Sequence, residues 1–221
     1  MRLRDLFFVT GTIESTGFLA GRMRRLRIAC PAQSWKPGQQ IRISVDGLMT
    51  RRSYSIWDGD DDGLELCVLD HGDGPGARWA RTAEPGQELI FTKPEGSMIP
   101  RPAPYHLFVG EETASVAFGP MLRSLEGSPV HAVIEVDSPD ECLPLKDVKW
   151  LYREGASAAS SEPLVEAVRN LALPAEPGIA YVAGEARTVQ AVRAHLVNDR
   201  GWDRRSVLTK PFWTPGKKGM E

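Results

Sequence analysis

The sequence is short of the residues that build metal and disulfide sites. Its 3 cysteines, Cys30, Cys67 and Cys142, are odd in number and far apart, without the close pairs that zinc or a redox dithiol requires. They read as reduced packing residues. The 4 histidines, His71, His106, His131 and His195, show no ligand spacing with one another or with a carboxylate, so no metal site built from side chains is expected. Charge of one sign is equally scarce: 27 basic and 29 acidic residues leave a net charge of −2 with no tail of either sign, and nothing in that balance calls for nucleic acid. No run approaches the ~18 consecutive apolar residues of a membrane span. Residues 1–20 lack both an unbroken apolar core and a small-residue cleavage pattern. A cytoplasmic monomer without stable membrane association is expected.

What is present is enough apolar material for two cores. The chain has 221 residues, 42% of them hydrophobic, and its texture changes once. Within residues 7–92, Leu26, Ile28 and Cys30 alternate with polar neighbours, as do Ile41, Ile43 and Val45, then Leu64, Leu66 and Val68, then Leu89 and Phe91. Such alternation marks strands with one buried face. Pro37-Gly38 and Pro85-Gly86 each precede a strand, and residues 58–63 are too polar for anything but an exposed hairpin. The pattern predicts an antiparallel β-barrel over residues 1–98, broken at residues 76–82, where Ala77, Trp79 and Ala80 indicate a short helix. Residues 94–104, with 4 prolines and a glycine, read as a linker. Beyond it, apolar runs at residues 106–109, 130–136, 148–152 and 179–183 alternate with helical patterns at residues 113–125, 161–173 and 186–200. Ser161 reads as an N-cap, with Leu164, Val168 and Leu171 on one stripe; Val189, Val192, Leu196 and Val197 form the next helix face, which stops at Gly201. Residues 104–221 are therefore expected to form an α/β domain with a parallel, nucleotide-binding sheet.

Two stretches of the first domain carry chemistry. Residues 51–57 read Arg-Arg-Ser-Tyr-Ser-Ile-Trp, and on a strand Arg52, Tyr54 and Ile56 share a face. A phenol ring can pack against an isoalloxazine, a guanidinium offers a planar fork to a pyrophosphate, and the Ser55 hydroxyl can meet a flavin ring nitrogen. Residues 71–80 follow with His-Gly-Asp-Gly-Pro-Gly-Ala-Arg-Trp-Ala. Gly72, Gly74 and Gly76 let the backbone approach phosphate oxygens, and a helix starting near Ala77 adds its positive end. Taken singly, an Arg-x-Tyr-Ser strand and a glycine-rich turn are commonplace. In the second domain, ligands of a parallel sheet gather at the strand carboxyl ends, here residues 110–114, Gly-Glu-Glu-Thr-Ala, and residues 183–186, Ala-Gly-Glu-Ala. Helix starts favour Glu111, Glu112 and Glu185 through the dipole alone, so the residues by themselves leave both readings open.

Together these stretches resemble the siderophore-interacting protein family, FAD-dependent ferric-siderophore reductases related to the ferredoxin–NADP reductase superfamily. The family's flavin strand, Arg-x-Tyr-Thr/Ser, is matched by Arg52, Tyr54 and Ser55, and its phosphate stretch by His71, Gly72, Gly74, Pro75, Trp79 and Ala80. Its two nicotinamide-facing turns are matched by Gly110, Glu112, Thr113 and Ala114, with Glu111 in place of an Asp, and by Gly184, Glu185 and Ala186. Its Gly-Tyr-Trp-Arg-x-Gly tail is matched by Trp213 and Gly216, with Phe212 and Thr214 as departures.

The resemblance implies FAD held by Arg52, Tyr54, Ser55, His71, Gly72, Gly74, Pro75, Gly76, Ala77 and Trp79, and NAD(P)H beside Glu112, Thr113, Ala114, Gly184 and Glu185. Tyr54, Ser55 and Trp213 would stand at the reacting centre, Trp213 covering the flavin ring until the nicotinamide arrives; a tryptophan in that place can also simply close a core. The implied activity is hydride transfer from NAD(P)H to FAD, followed by single-electron reduction of Fe(III) in a siderophore or other ferric chelate. Iron(II) holds hard oxygen ligands less well, so the metal is released. Arg51, Lys210, Lys217 and Lys218 are the candidate cations for an anionic complex, although lysines of this kind are also ordinary solvated charge. Residues 44–50 are brief where the family has an insertion, and Trp57 stands where it has an Arg, which reshapes the acceptor pocket. A general flavin or electron-carrier reductase of the same fold, or a non-catalytic siderophore- or flavin-binding protein, therefore stays open. So does the nucleotide: Glu135 and Asp137 could take a ribose 2′-hydroxyl, and Arg153 or Arg187 a 2′-phosphate.

Overall fold

One-sided apolar alternation closes the first unit into a barrel. The computed structural model describes residues 8–46 and 50–216, with the side chain of residue 46 left aside; Lys217 and Lys218 lie outside the described residues. The chain divides into two compact units, Met1–Ile99 and Pro100–Glu221. In the first, β1 (Phe8–Ala20), β2 (Met23–Ala29), β3 (Gln40–Asp46), β4 (Thr50–Asp60), β5 (Gly63–Leu69) and β6 (Glu88–Thr92) form a closed barrel in the order β1-β2-β5-β4-β3-β6. Every pair is antiparallel. Register places Leu26 opposite Leu66 and Ile28 opposite Leu64. With Ile13, Ile41, Ile43, Ile56 and Phe91 they make a core whose members are at most 1% exposed. A bulge lies between Ile56 and Asp58, and the successive residues Ile56 and Trp57 are both buried, Ile56 in the barrel core. The expected hairpin at residues 58–63 is tighter than its composition suggested: β4 and β5 run up to the pair Asp61-Asp62, and the Asp60 carboxylate accepts from the Asp62 N–H at 2.9 Å and from Arg27 at 2.6 Å. Among the described residues the one helix of this unit, α1 (Pro75–Thr82), lies between β5 and β6 and packs Trp79 and Ala80 into the barrel core.

The second unit is a parallel sheet with helices on both faces. Its strands β7 (His106–Glu111), β8 (Val130–Val136), β9 (Val148–Tyr152), β10 (Ile179–Glu185) and β11 (Val207–Trp213) lie in the order β11-β10-β7-β8-β9. Alternate residues of β7 serve opposite layers. Leu107 and Val109 join the core formed with α3 (Glu162–Arg169) and α4 (Ala186–Ala194), while the Phe108 ring meets Phe118 of α2 (Glu112–Ser124) edge-on at 5.2 Å. The chain winds from β7 outward to β9 and then restarts on the other flank with β10. Neighbouring strands β7 and β10 therefore flank the point where winding direction reverses, which is where such sheets bind ligands.

Three boundaries differ from the sequence expectation, each for a tertiary reason. The helix begun by Ser161 ends at Arg169, because the Arg200 guanidinium donates to the carbonyls of Val168, Arg169 and Leu171 and closes the last turn from outside. The following helix is regular only to Ala194 and widens into a π turn over His195–Asp199. Strand β11 lies outside the apolar runs that predict the sheet; it contains Pro211, and its place at the sheet edge tolerates the missing N–H.

Gly63 lets β2 and β5 approach: a Cβ there would lie 2.1 Å from the Ile28 carbonyl oxygen, whereas a Cβ at Gly17 meets nothing within 4 Å. Gly63→Ala is expected to cost about 1–3 kcal/mol in urea unfolding with an unchanged slope, and Gly17→Ala less than about 0.5 kcal/mol.

Candidate functional site

In the first unit, β4 and the start of α1 are joined by one side chain. Tyr54 is 8% exposed; its ring packs against Trp79 at 5.1 Å between centroids, and its hydroxyl donates to the Gly76 carbonyl at 3.0 Å. Burial raises the phenol far above its usual range, with Arg52 nearby opposing this, so Tyr54 stays a neutral donor. A Cβ at Gly76 would fall 2.9 Å from the Tyr54 hydroxyl and 3.3 Å from Cγ of Arg52, so only glycine permits this approach. Arg52 is half-buried and donates to its neighbour's carbonyl, Arg51 O, at 2.6 Å. The helix start is open on its outer side. Gly74 occupies the N-cap without a side-chain cap, Pro75 opens the helix, and the first turn holds no acidic residue. Cβ atoms at Gly72 or Gly74 would meet nothing within 4 Å. Exposed His71 and Gly72 lead into this turn, and Arg81 ties the loop down through Asp70 at 2.6 Å and the Gly72 carbonyl at 2.9 Å. Uncapped backbone N–H groups beside glycines that leave space are the donor set a pyrophosphate requires.

In the second unit, the carboxyl ends of three strands, β7, β8 and β10, bring four buried carboxylates together. Glu111, at the end of β7, is 2% exposed and caps α2, accepting from the Thr113 N–H at 2.8 Å, from the Thr113 hydroxyl, and from the Trp213 indole N–H at 2.9 Å. Burial first, and repulsion from Glu112 second, raise its carboxyl to about 7. Gly184 packs directly on it: the residue has φ +118°, and a Cβ would lie 2.6 Å from Glu111 Oε1. Glu112 is held by the fork of Arg153, whose Nη1 donates at 2.6 Å and whose Nη2 reaches the other oxygen. Arg153 also lies 3.5 Å from Glu135, which takes the Ser161 hydroxyl on its other oxygen. Burial raises Glu135, an effect its donors only partly offset. Glu185 caps α4. Burial would raise it, but the N–H groups of Arg187, Ser160 and Thr188, each at 3.0 Å, outweigh that and hold it below the usual range.

The residues singled out in the sequence thus fall into two groups, one in each unit. Arg52, Tyr54, Gly76 and Trp79 are in mutual contact or one residue removed, with Ser55 half-buried on the opposite side of the strand and Ala77 in the first turn of α1. Glu112, Thr113, Gly184, Glu185 and Trp213 meet around Glu111 or its neighbours, and Ala114 is fully buried behind them. Arg51 lies with its guanidinium over the Phe8 ring at 4.8 Å, and Lys210 with its ammonium over Phe212 at 5.3 Å. Two features escaped sequence reasoning. One is the Arg153 fork: the side chain is 7% exposed and committed to carboxylates, so of the two arginines named for a 2′-phosphate only Arg187 is exposed. The other is the Glu111–Trp213 bond, made across 102 positions, for which no local spacing gives a signal.

A closed antiparallel barrel followed by a parallel α/β sheet is the architecture of ferredoxin reductase-like FAD- and NAD-binding proteins. Residues 24–98 match the siderophore-interacting FAD-binding domain and residues 103–216 the siderophore-interacting protein model. The chain belongs to the siderophore-interacting protein family. Among curated relatives, ferric vibriobactin reductase ViuB of Vibrio cholerae is 29% identical over 178 residues, which is 75% of this chain and 65% of that one. The mycobactin import ATP-binding/permease protein IrtA of Mycobacterium tuberculosis is 23% identical over 94% of this chain and 26% of its own. The chain thus spans less than two thirds of the length of either relative. The siderophore-interacting protein SipS of Aeromonas hydrophila superposes with a TM-score of 0.84 at 22% identity, covering 96% of this chain and 93% of that one, a likeness of fold. Among the described residues no helix is long and apolar enough to cross a membrane.

Removing Arg153 would leave Glu112 and Glu135 buried without their cation. Arg153→Met is expected to destabilise the second unit by about 3–5 kcal/mol in chemical denaturation. A double change that also makes Glu112→Gln should recover part of that loss.

Proposed function

We propose that this chain is an FAD-dependent oxidoreductase that takes electrons from NAD(P)H and reduces ferric siderophores, releasing Fe(II). The observation that carries the reading is the open, glycine-built start of α1, held beside Arg52 by the Tyr54–Gly76 bond within the segment that matches the siderophore-interacting FAD-binding domain. In this reading residues 1–98 hold FAD and residues 104–221 hold the pyridine nucleotide. The N–H groups of Gly76 and Ala77, with Arg52, bind the pyrophosphate. Tyr54 keeps the strand and the helix start at one distance, and the Ser55 hydroxyl, on the other side of the strand, donates to a flavin ring atom. In the second unit the loops after β7 and β10 receive the nucleotide; Glu112, Thr113, Gly184 and Glu185 shape that receiving edge, and their carboxylates are already answered by protein donors. FAD held by the first unit would supply the chemistry that links two-electron uptake from a reduced nicotinamide to one-electron delivery to iron.

The name of the Vibrio cholerae relative, ferric vibriobactin reductase, supports the choice of a ferric siderophore as acceptor. Arg51 and Lys210 are the described cations assigned to it, with Lys217 and Lys218 beyond the described residues. One observation favours a second reading, a general flavin or electron-carrier reductase: Trp57, 6% exposed, offers no cation at the place where the family carries an Arg.

The test is an anaerobic absorbance spectrum of the purified chain. Flavin bands are expected to bleach on adding NADH or NADPH and to return on adding a ferric siderophore. Return with simple ferric chelates alone would favour the second reading, and bands that never bleach would leave a binding protein. Arg52→Ala is expected to weaken FAD retention about 10- to 100-fold by the loss of about 1.5–3 kcal/mol of charged hydrogen bonding; unchanged retention would move the pyrophosphate site elsewhere.

A further inference from the structure

We propose that Glu111 is a positioning residue that works as a proton-operated latch on Trp213, seating the indole when ionised and freeing it when protonated. Three strand ends meet at one carboxylate. Glu111 closes β7, Gly184 of β10 lies against its Oε1, and Trp213 at the end of β11 donates its indole N–H to the same oxygen at 2.9 Å. Any side chain at position 184 would occupy the space of that oxygen, because a Cβ would stand 2.6 Å from it.

The chemistry of the bond makes it sensitive to a proton. Ionised, the carboxylate is acceptor-only, which suits its three donors: the Thr113 N–H, the Thr113 hydroxyl and the Trp213 N–H. A backbone N–H and an indole N–H cannot turn into acceptors, whereas a hydroxyl can. An added proton is therefore accommodated on Oε1 facing the Thr113 hydroxyl, and the bond to the indole loses the charge that strengthens it.

Among the described residues, the cation that feels the charge of Glu111 is Arg153, whose own hydrogen bonds go to another carboxylate. Glu112 follows it in the chain and repels it. Arg153, from the end of β9, commits its fork to Glu112 and reaches Glu135, the residue opposite Glu111 on β8. Glu185, at the end of β10, is answered by the first turn of α4. Lys210 of β11 has its ammonium over the Phe212 ring. Burial first, and Glu112 second, raise this carboxyl to about 7. The consequence for turnover, though not the latch, rests on the reading above in which Trp213 stands where the nicotinamide arrives.

The test reads the indole directly. In nitrogen-15 spectra of the full chain, the Trp213 N–H is the resonance missing from Trp213→Phe, and it is followed from about pH 5.5 to about pH 8.5. It is expected to titrate with a midpoint of about 7 in the wild type and to be flat in Glu111→Gln. Glu111→Asp keeps the charge but shortens the reach, and should leave the resonance away from its wild-type bound position at every pH. A wild-type resonance that does not titrate, or one that titrates equally in Glu111→Gln, would overturn the latch. The rate of flavin bleaching by NAD(P)H is expected to fall about tenfold from pH 6 to pH 8, following the protonated fraction, and to lose that dependence in Glu111→Gln. A flavin that never bleaches defeats the reductase reading while the indole titration still decides the latch.

Discussion

A carboxylate withdrawn from water must find donors or give up its charge, and the strand-end edge of the second unit is arranged around that constraint. Glu111, Glu112, Glu135 and Glu185 are each at most 5% exposed. Each is answered differently. Glu112 receives a guanidinium fork, Glu185 receives the first-turn N–H groups of a helix, Glu135 receives one hydroxyl and a more distant arginine, and Glu111 receives three neutral donors. Their charge behaviour follows from those partners: backbone donors keep Glu185 ionised, while Glu111, with a like charge beside it, is left near neutrality. The donors also fix geometry, because Ser160, Ser161 and Arg153 all come from the segment between β9 and α3 and bind it to the ends of β7, β8 and β10.

The first unit solves the opposite problem. α1 begins with Gly74, Pro75 and Gly76 and no capping side chain, which leaves open the backbone donors that a pyrophosphate would need. An uncapped helix start is ordinarily a loss of stability. Here Trp79 and Ala80 anchor the helix in the barrel core, and Tyr54 fastens its first turn to β4. Glycine at position 76 is required by the approach of the Tyr54 hydroxyl rather than by its own backbone angle. The loop before the helix is restrained by Arg81, on Asp70 and Gly72, and Cβ atoms at Gly72 or Gly74 would meet nothing within 4 Å.

The two units obey one design, in which strand ends set positions and helix starts supply either donors or acceptors. In the barrel the helix start is left to donate outward. In the parallel sheet the starts of α2 and α4 are filled by Glu111 and Glu185, so their dipoles are already satisfied by the protein's own carboxylates. A nucleotide at this edge would meet a surface built on shape and neutral backbone more than on free helix-end charge.

Periodicity alone carried the fold class, because burial on one face forces alternation in β2, β3, β5 and β6, and burial on both faces forces apolar runs in β7, β8 and β10. Local chemistry also showed Ser161 as a cap and the glycine-rich turn before α1. Motif order placed the two candidate sites. Only tertiary structure decided the rest, since each such feature depends on a partner distant in the chain. Arg200 ends α3 from 29 or more positions away, Arg153 reaches Glu112 across 41, and Trp213 reaches Glu111 across 102. The edge position of β11 makes Pro211 harmless, and no local rule announces an edge. Sequence sets which residues must hide from water; the packed chain sets which donor each hidden carboxylate finds, and so which of them can still exchange a proton.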